Sequence, residues 1–239
     1  MVIKMNVLAI GAHPDDLEIA CYGTLSKYVK AGHKVFVCHV SNGNLGHVEI
    51  MPDELSVIRF NEAQKAAEII GAEHCSLDID DQYVDSNNEE QVEKLVRLLR
   101  RVQPDFIITH SDRDYHRDHT ETYRLVFRAT CCASLTHYDS ESGQSIAPIC
   151  PLYMMDTLAN TGFEPTEYVD ITDSIDLKLK ALSCHESQIK WMKEHDKIDF
   201  VDFVKNCSRV RGYQCGVDYA EGFRPDMNYG RRTAKRLLP

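Results

Sequence analysis

Directly after the apolar run at 6–10 (NVLAI), the chain places a histidine, a proline and two adjacent aspartates, in the stretch GAHPDDLEIACYG at 11–23. Ionisable side chains crowded at the exit of a buried strand are costly to desolvate, so they require either water or a cation. The run before them is short and β-rich, and its kind recurs along the chain. Further strands are predicted at 34–40, 74–79, 105–110, 152–158 and 167–171. Amphipathic segments near 17–31, 53–70, 88–103 and 118–135 lie between them, and two more helices near 173–193 and 196–210 close the chain. The second of these helices is well marked, with Pro52 and Asp53 at its start and Gly71 at its end.

Strand–helix alternation of this kind predicts an α/β, Rossmann-like fold, a mainly parallel sheet with helices on both faces. Right-handed crossovers then bring the strand exits to one edge, where ligand sites of open α/β sheets form. No internal repeat is present, and the Ser/Gly/Pro-rich stretch 137–151 reads as a loop, so residues 1–239 are expected to form a single domain.

Charge narrows the function. With 27 Lys+Arg against 37 Asp+Glu, the formal net charge is −10, which argues against nucleic acid or an anionic membrane as the main partner. The nine cysteines have no regular spacing, and Cys131 and Cys132 are adjacent, which suggests reduced thiols and a cytoplasmic protein. The start reads as no secretory signal, and no stretch approaches the length of a transmembrane span.

Two clusters carry the chemistry. Helix initiation accounts for Asp15 and Asp16, since acidic residues complement the helix dipole, but it leaves His13 unexplained. His13 and Asp16 stand three apart, so a helical turn brings them to one side, with Asp15 pointing elsewhere. Nitrogen with oxygen donors suits zinc, and also iron, nickel or cobalt. The second cluster, THSDRDYHRDHTE at 109–121, holds His116 and His119 where the next helix begins. Capping by Asp112, Asp114 or Asp118 would use only part of it. In a doubly wound sheet the first and fourth strand exits can lie side by side, which would let the two clusters meet. His13, Asp16 and either His116 or His119 then make three ligands with an open position, as in catalytic zinc sites.

At this point the chain resembles the LmbE-like, PIG-L-type zinc de-N-acetylases. The resemblance rests on AHPDDLE after a short strand, HRDH preceded by THSDRDY, RFNEAQKAAEIIGA (59–72), KALSCHESQ (180–188) and GVDYAEGF (216–223). It departs from the family in having Arg117-Asp118 where Pro-Asp is usual. The resemblance implies His13, Asp16 and His119 as metal ligands, Asp15 as general base, and His116 as a nearby acid or electrostatic partner oriented by Asp118. It implies zinc, with iron as another candidate, and a small-molecule N-acetylglucosamine conjugate as substrate. It also implies a homo-oligomer.

Arg59 resembles a family arginine near the substrate, although an i,i+3 pair with Glu62 would also explain it. His185 falls in the late His-x-Ser-Gln segment, where an ordinary helix position is the alternative. SNGNLGH (41–47) is expected to wall the pocket, with His47 facing water. His33, His39, His74, His110, His137 and His195 are read as structural or surface residues, and Tyr219 and Glu221 receive no role. The competing readings are an amidohydrolase of a non-sugar acyl amide, a two-metal phosphoesterase and a non-catalytic Rossmann-type binding module. The module lacks support because the first strand exit has no Gly-x-Gly-x-x-Gly cradle.

Overall fold

β1 (Asn6–Gly11) sends alternate side chains to two different cores. Val7 and Ala9 pack with Leu17, Tyr22, Leu25, Ala66 and Ile70 on one face, and Leu8 and Ile10 with Val92, Leu95, Leu125 and Val126 on the other. Period-two alternation with apolar residues at both phases is what a strand covered on both faces requires. In this computed structural model, which describes residues 4–239, seven strands form one sheet in the order β3-β2-β1-β4-β5-β7-β6. The others are β2 (Lys34–Ser41), β3 (Glu73–Ile79), β4 (Phe106–Thr109), β5 (Leu152–Met155), β6 (Glu167–Asp170) and β7 (Ala220–Pro225). Strands β3 to β5 in that order pair in parallel, whereas β7 runs antiparallel to both its neighbours.

The helices are α1 (Asp16–Ala20), α2 (Tyr22–Lys30), α3 (Pro52–Ile70), α4 (Glu89–Val102), α5 (Arg117–Ala133), α6 (Ile175–Leu182), α7 (Glu186–Trp191) and α8 (Phe200–Cys215). α3 begins on Pro52 and ends on Gly71 in the left-handed region, as its sequence signals indicate. The fold class expected from the alternation is the one found.

Three details differ from the sequence expectation. The helix expected at 17–31 breaks at Cys21, because the Glu221 carboxylate accepts from the Gly23 and Thr24 N–H groups and founds a new helix start there. A Cβ on Gly23 would lie 2.8 Å from Ile171, so this close approach needs glycine. The helix expected at 173–193 is divided before His185 and ends in a π-helical turn over Met192–Asp196. β7 was not foreseen, since its Gly222 and Pro225 weaken a strand reading. All nine cysteines are free, and among the described residues no helix is long and apolar enough to cross a membrane.

Candidate active site

After β3 the chain returns to place β4 beside β1, so the exits of β1 and β4 meet at the point where strand order reverses. The two clusters singled out in the sequence occupy these exits. The turn after β1 is tight: the His13 N–H donates to Asp16 Oδ2 at 2.6 Å, and the Asp16 N–H returns to the His13 carbonyl at 3.2 Å. Between them Asp15 sits at φ 126°, a left-handed conformation that costs a non-glycine residue about 1–3 kcal/mol and clusters at functional positions. At the other exit His116 caps α5, its Nδ1 accepting from the Asp118 N–H at 3.2 Å.

His13, Asp16 and His119 come together. His13 Nδ1 lies 3.4 Å from Asp16 Oδ2, and His119 Nε2 lies 3.3 Å from Asp16 Oδ1. The rings of His13 and His119 are 5.4 Å apart. The trios whose ligand atoms lie within 4.8 Å of one another are His13–His116–His119, Asp16–His110–His119 and His13–Asp81–Asp118, so proximity alone does not select the expected set of His13, Asp16 and His119. A cation fits this cluster. Asp16, Asp81, Asp114 and Asp118 crowd the imidazoles of His13, His110 and His119, Asp15 meets the buried Arg59, and the buried atoms Asp118 Oδ1 and Asp114 Oδ2 have no hydrogen-bond partner.

The electrostatics say the same. Burial would lower the pKa of His119, but Asp16 and Asp114 overcome it and raise the group to about 9. Burial likewise opposes charge on His13, yet hydrogen bonds to Asp118, Asp16 and Asp81 hold its pKa well above the ordinary value. Protons on these rings thus stand where a metal's charge would otherwise be. Burial would also raise Asp16, which His119 and His110 instead keep well below the usual carboxylate range. For Asp15 burial prevails over Arg59, and its pKa rises to about 6.

Asp118 is placed differently from what the resemblance implied. Its Oδ2 accepts from the Gln82 N–H at 2.8 Å and lies 3.4 Å from His13 Nε2, not against His116. The reason is local. His116 folds its ring back to cap the helix, which leaves the Asp118 carboxylate, one residue inside the first turn, facing inward. With Asp81 Oδ1 at 3.2 Å from the same His13 nitrogen, two carboxylates hold Nε2–H and leave Nδ1 toward Asp16. Asp114 treats His119 similarly, with Oδ1 at 3.1 Å from Nδ1.

Arg59 is buried, and its guanidinium donates to the Pro14 carbonyl at 2.5 Å and the Gly43 carbonyl at 3.2 Å, with Asp15 Oδ2 at 3.4 Å. The i,i+3 alternative is not formed, because Glu62 accepts from the Ser187 N–H and hydroxyl instead. Gly43, at φ 66°, passes so near the arginine that a Cβ would lie 2.5 Å from Nη1. His185 is fully buried, its Nε2 3.0 Å from Glu18 Oε1, and does not face the open side. His47 caps its own turn, accepting from the Glu49 and Ile50 N–H groups, and its ring rests 5.6 Å from Trp191. A groove of about 380 Å³, lined among others by His39, Phe60 and His74, adjoins the site at Pro14. A much smaller cavity of about 30 Å³ lies directly against Asp16, His110 and His119.

Sequence reasoning missed three members of the cluster. His110 was read as structural, Asp114 only as a capping candidate, and Asp81 was not considered. His110 ends the predicted β4 run, where its position beside the second motif was the available signal. Asp81 lies on the β3 exit, and nothing in its local sequence sets it apart from its acidic neighbours.

Comparison with known proteins gives a match to the family profile described as GlcNAc-PI de-N-acetylase (PIG-L) over residues 8–130. The diacetylchitobiose deacetylase of Thermococcus kodakarensis is 28% identical over 92% of this chain and 82% of its own length. The 4-oxalmesaconate hydratase of Pseudomonas putida is also 28% identical, over 77% of this chain and 74% of its own. Among solved structures, the N,N'-diacetylchitobiose deacetylase of Pyrococcus horikoshii superposes with TM-score 0.80 at 28% identity, covering 92% of this chain and 83% of that one. The 4-carboxy-2-hydroxymuconate hydratase GalB of Pseudomonas putida gives TM-score 0.82 at 25% identity, covering 98% and 100%.

Proposed function

Since the chain belongs to the GlcNAc-PI de-N-acetylase (PIG-L) family, we propose that it is a metal-dependent hydrolase of N-acetylglucosamine-type sugar conjugates, releasing acetate and a free amine. His13, Asp16 and His119 would hold the metal, and their nitrogen and oxygen donors suit zinc, with iron as the other candidate. Such an ion, when bound, lowers the pKa of water to about 7 and polarises a carbonyl.

The chain's own residues supply the rest. Asp15 takes the proton of the attacking water, its carboxylate oriented by Arg59 and by its unusual backbone. A cation nearby keeps that carboxyl ionised at neutral pH despite its burial. His116 has Nδ1 committed to the Asp118 N–H, so its remaining proton sits on Nε2, on the half-open side of the cluster. From there it hydrogen-bonds to the amide oxygen as negative charge develops on it, keeping its own proton. The water proton passes through Asp15 to the amine, so the reaction balances without a redox partner.

The observation that carries this reading is the convergence of the β1 and β4 exits within the family-matched segment. Metal content of the purified protein, followed by acetate release from N-acetylglucosamine derivatives with and without chelator, tests it. Release that chelator abolishes and metal restores is expected. Absence of release across sugars, with activity on acylated amino acids, would move the protein to non-sugar amides.

The hydratase relative supplies a second reading, in which the same site adds water to an unsaturated polycarboxylic acid. A direct readout separates the two readings. Loss of ultraviolet absorbance from a conjugated dienoic polyacid on incubation with the metal-loaded protein would favour the hydratase.

A further inference from the structure

His110 lies within the metal cluster but has no part in the chemistry above. It is 3% exposed and ends the β4 exit. Its Nε2 accepts from the Ala12 N–H at 2.9 Å, one step beyond the last register pair of β1 with β4, Ile10 opposite Thr109. The Thr109 hydroxyl donates to the Ile10 carbonyl at 2.8 Å directly below. The sheet's own hydrogen bonds therefore stop where the ligand-bearing turns begin, and these two side chains continue the join.

The same ring lies face to face with His119, centroids 4.0 Å apart and planes 14° from parallel. Its Nδ1 looks toward Asp114 Oδ2 at 4.0 Å, and the other oxygen of that carboxylate is 3.1 Å from His119 Nδ1. A backbone N–H can only donate, so Nε2 must present its lone pair to Ala12 and the ring proton must sit on Nδ1. Asp16 Oδ2, 3.2 Å from Nε2, serves the next backbone donor, the His13 N–H. The two acceptors stand side by side, each satisfying one of two consecutive amides.

Resting on the metal-site reading above, we propose that His110 is a positioning residue: a neutral acceptor that pins the β1 exit to the β4 exit and so sets His13 and Asp16 in register with His119. It also removes one of the trios that proximity leaves open, Asp16–His110–His119, because the His110 lone pair that would reach a metal is already spent on the Ala12 N–H.

Three variants of the full chain separate this role from its rivals. His110→Phe keeps a flat ring against His119 but removes the acceptor. His110→Gln offers a carbonyl oxygen to the Ala12 N–H without an imidazole, and His110→Ala removes both. Zinc affinity is measured on metal-free protein by competition with a chromophoric chelator. The cobalt(II)-substituted forms report coordination through their visible spectra.

The expected result is a loss of about 10–100-fold in zinc affinity for Phe and Ala, the range for removing a residue that supports a ligand. Gln is expected to retain wild-type affinity and an unchanged cobalt spectrum. Wild-type affinity in the Phe variant would overturn the proposal. So would a Gln variant that loses as much as Ala with an altered cobalt spectrum, since that is the behaviour of a ligand. If Phe or Ala fails to fold, the Gln variant decides alone. Affinity is read independently of acetate release, so an inactive chain whose zinc binding follows this pattern would fail the functional reading and keep this one.

Discussion

Two buried charged clusters flank α1 and α2, and they are built on opposite principles. On one side Glu221 accepts from the Gly23 and Thr24 N–H groups at 2.9 and 2.7 Å and from Lys178 Nζ at 2.6 Å. Lys178 and Glu221 are 1% and 2% exposed, and charge and hydrogen bonds close upon themselves. On the other side, His13, Asp16 and their neighbours set carboxylates against imidazoles that must be protonated to balance them, leave buried oxygens unpartnered and hold Asp15 in a strained conformation. A closed cluster at a helix start anchors the fold. An acid-rich one with vacant lone pairs is stable only with protons or a metal on it.

The sharpest way to break this contrast is to remove the base. Asp15→Asn is expected to lower kcat by about 10²–10⁴-fold while metal content, read by elemental analysis, stays at the wild-type level. His119→Ala is expected to lose the metal instead. Full activity in the asparagine variant would take Asp15 out of the chemistry.

The closed cluster should answer in stability alone. Lys178→Ala strands a buried carboxylate and is expected to cost about 3–5 kcal/mol in denaturant unfolding, with zinc affinity of the folded fraction unchanged. A neutral outcome would mean that the amide donors suffice for Glu221.

Acidity sharpens the comparison further. The folded-state pKa of His119, about 9, lies above its ordinary 6.5, so the stability it contributes is complete below 6.5 and is lost as pH rises toward 9. Chelator-treated protein should therefore lose about 3 kcal/mol over that window, by the size of the shift, with His13 acting in the same direction. Metal-loaded protein should not, because the ion replaces the protons. Parallel unfolding curves with and without metal at pH 6, 7.5 and 9 measure this.

The smallest effect concerns strain. Asp15→Gly relieves both the left-handed backbone and the buried carboxyl, and should raise the stability of the metal-free protein by about 1 kcal/mol while abolishing turnover. A lower melting temperature would show that Arg59's contact with Asp15 outweighs the strain.

Much of this was legible from the sequence because it is local. The caps of α3 depend on Pro52 and Gly71 themselves, and the crowding of His13, Asp15 and Asp16 needs no tertiary knowledge to look costly. The choice between His116 and His119 came from the family comparison, not from spacing, since both sit at the same helix start. The resemblance pairs Asp118 with His116, whereas its carboxylate faces the Gln82 N–H and His13, because its orientation depends on which way His116 turns at the cap. The structural reading of His110 holds, but what it ties together is not legible locally, because its partner is an amide 98 residues earlier in the chain. Glu221 received no role for the same reason: its partners lie at Gly23, Thr24 and Lys178.

By itself, then, the sequence determined that strands and helices alternate, that two acidic, histidine-bearing turns leave the strands, and that their chemistry calls for a cation. Periodicity, capping and desolvation act over a few residues and can be read there. Only the tertiary structure decided which carboxylate steadies which imidazole, which histidine spends its lone pair on the backbone, and which buried acid is matched by a lysine. Those choices turn on directions and distances of a few ångström between segments far apart in the chain, and no local pattern encodes them.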